Sequence, residues 1–373
     1  MNPKYIIITL LIALSTGYYL IVHFKNLPFI SCFKTRWITY MLSSVLAFIC
    51  LYLVHSIFSF STIIILFLVY SFLITDIMNI IIKRYIKNGN VKKIWTKLYH
   101  SSLLALIIMV IITTSSYYTA KHVVTTRYNL YTNKQFALKN MKIAMITDLH
   151  FGTTMNPYEL AKYCKKIQDS SPDIVVLVGD IFDENTKKGY MEDACRLLGQ
   201  IKSTYGVFYV FGNHDGRGYR TDSNFTKKDI ISNLRASKIT ILDDEVKLVD
   251  GKFYIIGRKD ASLSHKALRK TLPELLKGVD KTRLIILLDH QPLDLKEASD
   301  CGVDIQLSGH THGGQIWPSG LISQLLHIYE LTYGYKKIND YQVIVSSGTG
   351  AWSYPLRLGS KAEIVQLKLH SNR

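Results

Sequence analysis

The chain has 373 residues, 48% of them hydrophobic, and a mean hydropathy of +0.13, which is too apolar for an ordinary soluble protein and excludes disordered and collagen-like classes. The net charge of +17 is unevenly spread: the first 120 residues hold ten Lys/Arg against Asp76 alone, and the rest of the chain carries a net of +8. Five cysteines, Cys32, Cys50, Cys164, Cys195 and Cys301, show no metal-type spacing and predict no disulfide framework.

From Tyr5 to Phe24 no residue carries a full charge, a run long enough to cross a bilayer core of roughly 30 Å. Between Arg36 and Asp76 lie 39 residues without Asp, Glu, Lys or Arg. As one helix they would extend about 58 Å. Two helices joined by a tight turn near His55 to Ser61 fit the length and keep every backbone group paired in lipid. With a fourth apolar run before Lys121, the expectation is four transmembrane helices at 5–24, 38–55, 61–82 and 101–120 within a membrane region spanning 1–120.

Lys25, Lys34 and Arg36 occupy one connection, and Lys83, Arg84, Lys87, Lys92, Lys93 and Lys97 another. Basic short loops stay in the cytoplasm, which places the chain beyond residue 120 outside it. Lys4, Lys121, Arg127, Lys134 and Lys139 pull the other way. Asp76, close before the second basic loop, is expected at the interface, paired with Lys83 or Arg84 rather than serving transport. Positive-inside charges and anionic headgroups account for the basic residues without a nucleic-acid partner, and the bilayer itself is the expected one.

Residues 121–140 read as a linker. Beyond it, short β-branched runs alternate with helical patterns, the signature of an α/β domain over 141–373. Strands are expected at 142–147, 173–178, 207–211, 253–256, 284–288, 305–307, 343–346 and 363–369. Helices are expected at 158–168, 191–202, 226–236 and 264–277, with Pro157 in the first turn of the first.

Five of these strands run into polar residues of one kind: Asp148-Leu149-His150, Gly179-Asp180, Gly212-Asn213-His214-Asp215, Asp289-His290 and Gly309-His310-Thr311-His312-Gly313-Gly314. Ligands of open α/β sheets bind outside the carboxyl ends of the strands, so these tips are expected to meet in one crevice. Their Asp, Asn and His side chains form an oxygen and nitrogen ligand set without cysteine, suited to Mn, Fe, Zn or Co. Seven or eight candidate ligands exceed one tetrahedral site. Two divalent ions roughly 3.5 to 4 Å apart would use them if one carboxylate, most naturally Asp180, bridged. A lone His at a strand end is usually structural, but five of the twelve histidines share this placement. His23, His55, His100, His122, His265, His327 and His370 do not, and read as ordinary.

Taken in order, Asp-x-His, Gly-Asp, Gly-Asn-His-Asp, a single His after a strand and Gly-His-Thr-His resemble the motif set of the calcineurin-like metallophosphoesterases over roughly residues 141–369. The extended Gly-His-Thr-His-Gly-Gly-Gln and the later Trp352, Pro355 and Arg357 are similar to the membrane-anchored bacterial branch. Asp289 before the single His, and Gln291 between it and Pro292, depart from the pattern without removing a ligand.

The resemblance implies a two-sheet β sandwich flanked by helices after the membrane region. It implies that Asp148, His150, Asp180 and His312 hold one metal, and Asp180, Asn213, His290 and His310 the other. A hydroxide bridging the ions would attack phosphorus in line, while His214, oriented by Asp215, stabilises the phosphoryl group and protonates the leaving oxygen. Arg217, Tyr219, Arg220, Arg258, Asp260, Trp352 and Arg357 could line the substrate pocket, though a solvated loop and a core tryptophan are the ordinary readings. The expected function is a membrane-anchored phosphate mono- or diesterase acting on lipid- or envelope-linked phosphate. A nucleotide or nucleic-acid phosphodiesterase of the same fold and a non-catalytic metal-binding sensor are the alternatives. A metallo-β-lactamase-type site would need a His-x-His-x-Asp-His run, which the sequence lacks.

Overall fold

The computed structural model describes residues 3–371 except 55, 57–58, 135, 137–139, 216–224 and 264–268. It divides into two units, Met1–Ser116 and Tyr117–Arg373. All five cysteines are free.

In the first unit, Arg36–Leu53, Phe60–Tyr85 and Leu103–Lys121 are helices long and apolar enough to cross a membrane, and Thr9–Phe24 is a shorter apolar helix within Pro3–Phe24. The four expected apolar helices are thus present as three candidate spans and one shorter element. Leu14, Phe48 and Ile80 expose about two thirds of their surface, as suits side chains bathed in lipid (69%, 68% and 66%). Of the expected turn, 55 and 57–58 lie outside the described residues. Ser59 caps the next helix, its side chain accepting from the Thr62 N–H at 3.2 Å. The second basic connection is itself helical over Gly89–His100, started by Asn88, whose side chain accepts from the N–H groups of Asn90 and Val91.

Asp76 does not pair with Lys83 or Arg84. Its carboxylate accepts from the hydroxyls of Tyr19 at 2.6 Å and Tyr99 at 2.8 Å, with His23 Nε2 at 3.3 Å. Lys83 lies seven residues along the same helix, about 10 Å further at the usual rise per residue, whereas neighbouring helices bring the hydroxyls to hand.

Among the described residues the second unit holds twelve strands: β1 (Val124–Thr132), β2 (Asn140–Ile146), β3 (Ile174–Val178), β4 (Val207–Val210), β5 (Thr240–Ile241), β6 (Glu245–Val249), β7 (Phe253–Gly257), β8 (Ile285–Leu288), β9 (Ile305–Ser308), β10 (Gly334–Ile338), β11 (Tyr341–Val345) and β12 (Glu363–Ser371). They form two six-stranded mixed sheets, ordered β1-β12-β2-β3-β4-β5 and β10-β11-β9-β8-β7-β6. β2 through β5 run parallel, as do β7, β8, β9 and β11. The sheets pack face to face through Ile143, Val176 and Phe208 of the first and Ile255, Ile286 and Leu307 of the second.

Alternation does the sorting along each strand. In β3, Val176 and Val178 face the partner sheet, while Val175 and Leu177 join the core beneath the helices Pro157–Asp169, Lys188–Gly199 and Lys227–Ala236. Short helices Leu272–Leu275 and Leu295–Cys301 cover the second sheet's outer face. The architecture is a two-sheet sandwich flanked by helices, as the resemblance implied.

Nearly half of the expected linker is instead strand. Residues 124–132 form β1, which pairs parallel with β12 along its whole length, from Val124 opposite Glu363 to Thr132 opposite Ser371. Tyr128 and Leu130 pack inward at a period of two, a signal visible in Val-Thr-Thr-Arg-Tyr-Asn-Leu-Tyr-Thr. Positions 135 and 137–139 lie outside the described residues. Of the helix expected over 264–277, 264–268 lie outside them too, and the helical part is Leu272–Leu275, closed by a Thr271 and Glu274 capping box.

Candidate metal centre

The parallel strands deliver their carboxyl ends to one place. β2, β3 and β4 lead into Asp148, Asp180 and Asn213, and β8 and β9 lead into His290, His310 and His312. The backbone there departs from ordinary conformations: Asp148 (φ 49°), His150 (φ 40°), Asp180 (φ 52°), His310 (φ 72°) and His312 (φ 51°) all adopt the left-handed region. Non-glycine residues held so cost about 1 to 3 kcal/mol each, and such strain gathers at functional sites.

Glycine is required where these loops touch. A Cβ on Gly212 would strike the Asp180 carboxylate and backbone, and one on Gly309 would strike Thr147 and Asp148. Gly212→Ala is therefore expected to push the Asp180 carboxylate out of place and lower turnover by about 10²-fold with metal content reduced. Elemental analysis beside an assay measures both; wild-type values for each would show that Asp180 needs no such close approach.

Two groups of donors result. Asp148, His150 and His312 offer ligand atoms within 4.8 Å of one another, and Asp180, His290 and His310 do the same. In the first, His150 Nε2 and His312 Nε2 are 3.1 Å apart, and Asp148 Oδ1 is 3.5 Å from His312 Nε2. In the second, Asp180 Oδ2 is 3.0 Å from His290 Nε2, and the same oxygen is 4.0 Å from His150 Nε2, so it faces both groups. Asn213 Oδ1 lies 2.9 Å from His310 Nδ1, and Tyr329 is 2.8 Å from the other ring nitrogen. All seven expected ligands are thus gathered in one place.

The donor set fits metal ions. His290 Nδ1 lies 2.8 Å from the Val178 carbonyl, its acceptor, which turns Nε2 toward the second group. That buried Nε2 has no hydrogen-bond partner, although Asp180 stands 3.0 Å away, an arrangement suited to two ligands aimed at a third body.

Electrostatics agree. Burial pushes the Asp148 carboxyl up, with His290 and His150 opposing. For Asp180 burial acts the same way, but His290, His214 and His150 outweigh it and hold the carboxyl well below the usual range. Burial, reinforced by His290, drops His310 to about 4, and burial with His150 and Arg357 drops His312 well below its ordinary value. His310 and His312 are thus neutral imidazoles; burial lowers His290 too, but Asp180 and Asp148 outweigh it and raise that imidazole well above its ordinary value, so a cation binding there takes the place of a proton.

His214 belongs to neither group. Its N–H donates to Asp180 at 2.8 Å, and its Nδ1 pairs with Glu184 at 2.8 and 3.1 Å. This corrects the expectation that Asp215 orients it. Asp215 is turned inward instead, where it accepts from the N–H groups of Phe182 at 2.8 Å and Gly212 at 3.1 Å. Burial, with Asp180 adding to it, pushes the Asp215 carboxyl up to about 6. Adjacent residues of a tight turn point apart, so an acid next to a histidine in sequence is poorly placed to grip its ring. Burial lowers His214, but Glu184 and Asp180 overcome it and raise the imidazole, leaving a cationic donor. Glu184 follows Asp180 by four residues; its acidic pair with Asp183 was the available signal, and Asp183 itself lies 3.4 Å from His150 Nδ1.

The remaining pocket candidates fall differently. The Trp352 ring stands 5.3 Å from that of His214, at the centre. Arg258 and Arg269 bracket buried Asp289 at 3.3 and 2.5 Å, while Asp260 accepts from Gln291 at 3.0 Å, so these pairs anchor both neighbours of His290. Arg357 is fully buried, 3.1 Å from His312 Nδ1, and donates to the carbonyls of His312, Ser347, Gly350 and Lys361, stapling the last loop. Arg217, Tyr219 and Arg220 lie outside the described residues.

Residues 141–314 match the family model described as calcineurin-like phosphoesterase. An uncharacterized metallophosphoesterase of Helicobacter pylori is 33% identical over 233 residues, 62% of this chain and 60% of that protein. A Bos taurus transmembrane protein with metallophosphoesterase domain is 31% identical over 245 residues, 63% of this chain and 54% of that one. An uncharacterized metallophosphoesterase of Aquifex aeolicus is 30% identical over 243 residues, 64% of this chain and 88% of that one. The matched region thus spans only 60% of the length of the Helicobacter relative.

Proposed function

Because the chain belongs to the calcineurin-like metallophosphoesterase family, we propose that it is a membrane-anchored dimetal phosphoesterase hydrolysing phosphate mono- or diesters carried by lipids or envelope polymers. One observation carries this reading: two buried donor groups face each other, with the Asp180 carboxylate directed at both.

Asp148, His150, Asp180 and His312 would hold one ion, and Asp180, Asn213, His290 and His310 the other. Two such ions would supply Lewis acidity and activate water for in-line attack on phosphorus. The chain does the rest. Asp180 sets the spacing of the two groups, and its acceptance of the His214 N–H fixes the turn that carries the acid. Held by Glu184, the raised His214 imidazole keeps its proton until the leaving oxygen takes it. Trp352 walls the site beside His214 and limits water there. A structural metal site would leave the pair of His214 and Glu184 without a task, which favours catalysis over a sensor.

The apolar helices anchor the catalytic unit, multi-pass, with residues 121–373 on the extracytoplasmic face, as the basic loops around Lys34 and Lys87 argue. Full-length protein in detergent, treated with a chelator, is expected to lose about 10²-fold or more of its turnover of chromogenic mono- or diesters, and to regain it on adding back Mn, Fe, Zn or Co. Turnover indifferent to chelation, in protein shown to be metal-free, would overturn the proposal.

A further inference from the structure

The segment after the last metal loop is tied to that loop and then leaves the fold. Thr311 Oγ1 donates to the Thr332 carbonyl at 2.6 Å, and the Tyr329 hydroxyl lies 2.8 Å from His310 Nε2. The backbones of Gly314 and Gly320 approach so closely that neither tolerates a Cβ without displacement. Between these ties runs the helix Ser319–Leu325, none of whose residues is buried. Leu325 and Leu326 are 68% and 67% exposed, and Trp317, Leu321, Ile322 and Ile328 are also exposed. A contiguous apolar patch of this kind marks an interaction surface, whereas scattered exposed leucines do not.

At its base a groove of about 260 Å³ opens between Trp317, Leu321, Tyr333 and Leu358, with Gly313 of the metal loop in its wall. Trp and Tyr gather where apolar and wet phases meet. Lys361 stands over the Tyr333 ring at 5.9 Å and pairs with Glu363 at 3.5 Å, while Lys336 and Lys337 of the following strand are balanced by Glu330 and Asp340, so the excess of cations belongs to the unit as a whole. Residues beyond 120 carry a net of +8, and the same chain bears helices apolar enough to sit in lipid.

We propose that Trp317 and the apolar segment Leu321–Ile328 dock onto an anionic bilayer surface and present headgroup-layer phosphoesters to the adjoining metal loop. Docking stands on the apolar patch and the charge of the unit alone; the presentation of substrate rests on the phosphoesterase reading above. Apolar side chains sink to the acyl boundary, aromatic rings remain at headgroup depth, and the net positive charge of the unit favours anionic headgroups, the division of labour of interfacial segments.

The test uses the full chain reconstituted in phosphatidylcholine vesicles with and without phosphatidylglycerol, the acyl chains brominated. The fluorescence difference between wild type and Trp317→Phe isolates one ring. Bromolipid is expected to quench it, more strongly with phosphatidylglycerol, and Leu321→Glu combined with Leu325→Glu is expected to remove the quenching. The same double variant should keep turnover of a soluble chromogenic ester within about twofold and lose about tenfold or more on a vesicle-borne lipid phosphoester. Absence of Trp317 quenching in wild type, its persistence in the double variant, or copy-to-copy cross-linking at this patch would overturn the docking. Loss of soluble-ester turnover by wild type would instead remove the phosphoesterase reading and leave the quenching result standing.

Discussion

Asp180→Ala is expected to abolish turnover, by about 10³-fold or more, and to lower the bound metal from about two ions per chain to one or none. The magnitude follows from position. Asp180 lies 3.0 Å from His290 Nε2 and 4.0 Å from His150 Nε2, so its carboxylate is aimed at both donor groups. It also accepts the His214 N–H at 2.8 Å, so its removal loosens the acid as well. Alanine leaves His290 and His150 facing each other without the negative charge that would offset two cations, and each lost 1.4 kcal/mol of stabilisation is worth a factor of ten. Elemental analysis of the purified variant, with thermal unfolding as a control for folding, distinguishes lost metal from lost structure. A variant that kept its full metal complement and its turnover would end the dimetal assignment.

The second large effect separates metal binding from proton transfer. His214→Asn should reduce turnover by about 10² to 10⁴-fold with metal content unchanged, because the ring belongs to neither donor group. Its orienting acid can be identified by comparison. Glu184→Gln keeps the size of the side chain but removes the charge beside Nδ1, and a loss of about tenfold is expected. Asp215→Asn keeps an oxygen to accept from the Phe182 or Gly212 N–H, and its cost should appear in unfolding temperature rather than in turnover at saturating ester. If Asp215→Asn proved the more damaging to turnover at unchanged stability, the pairing of His214 with Glu184 would be incidental.

Chemistry at the strand ends was legible from residue order alone. Asp148, His150, Asp180, Asn213, His290, His310 and His312 each follow a β-branched run, and parallel strands must carry such positions to a common edge. Charge-free length likewise marked the apolar helices, and short β-branched runs marked strands such as β3, since both are properties of neighbouring residues. What periodicity could not convey was pairing at long range. β1 carries a β-branched and aromatic pattern of its own, but its parallel partner β12 lies more than 200 residues away, a pairing that no local pattern specifies.

Partners within the site divide in the same way. His214 and Asp215 adjoin in sequence, yet the turn sends one ring to Glu184 and one carboxylate inward to backbone N–H groups. Asp76 lies on one helix with Lys83 and Arg84, yet it is held by Tyr19, His23 and Tyr99 from other elements. The amino-acid sequence by itself determined which residue types reach the centre and which segments are apolar enough for lipid, because those properties are carried by single side chains and local repeats. Only the tertiary structure decided which acid grips which base, because a hydrogen bond is settled over about 3 Å by the direction of each side chain, and that direction follows from packing between distant segments.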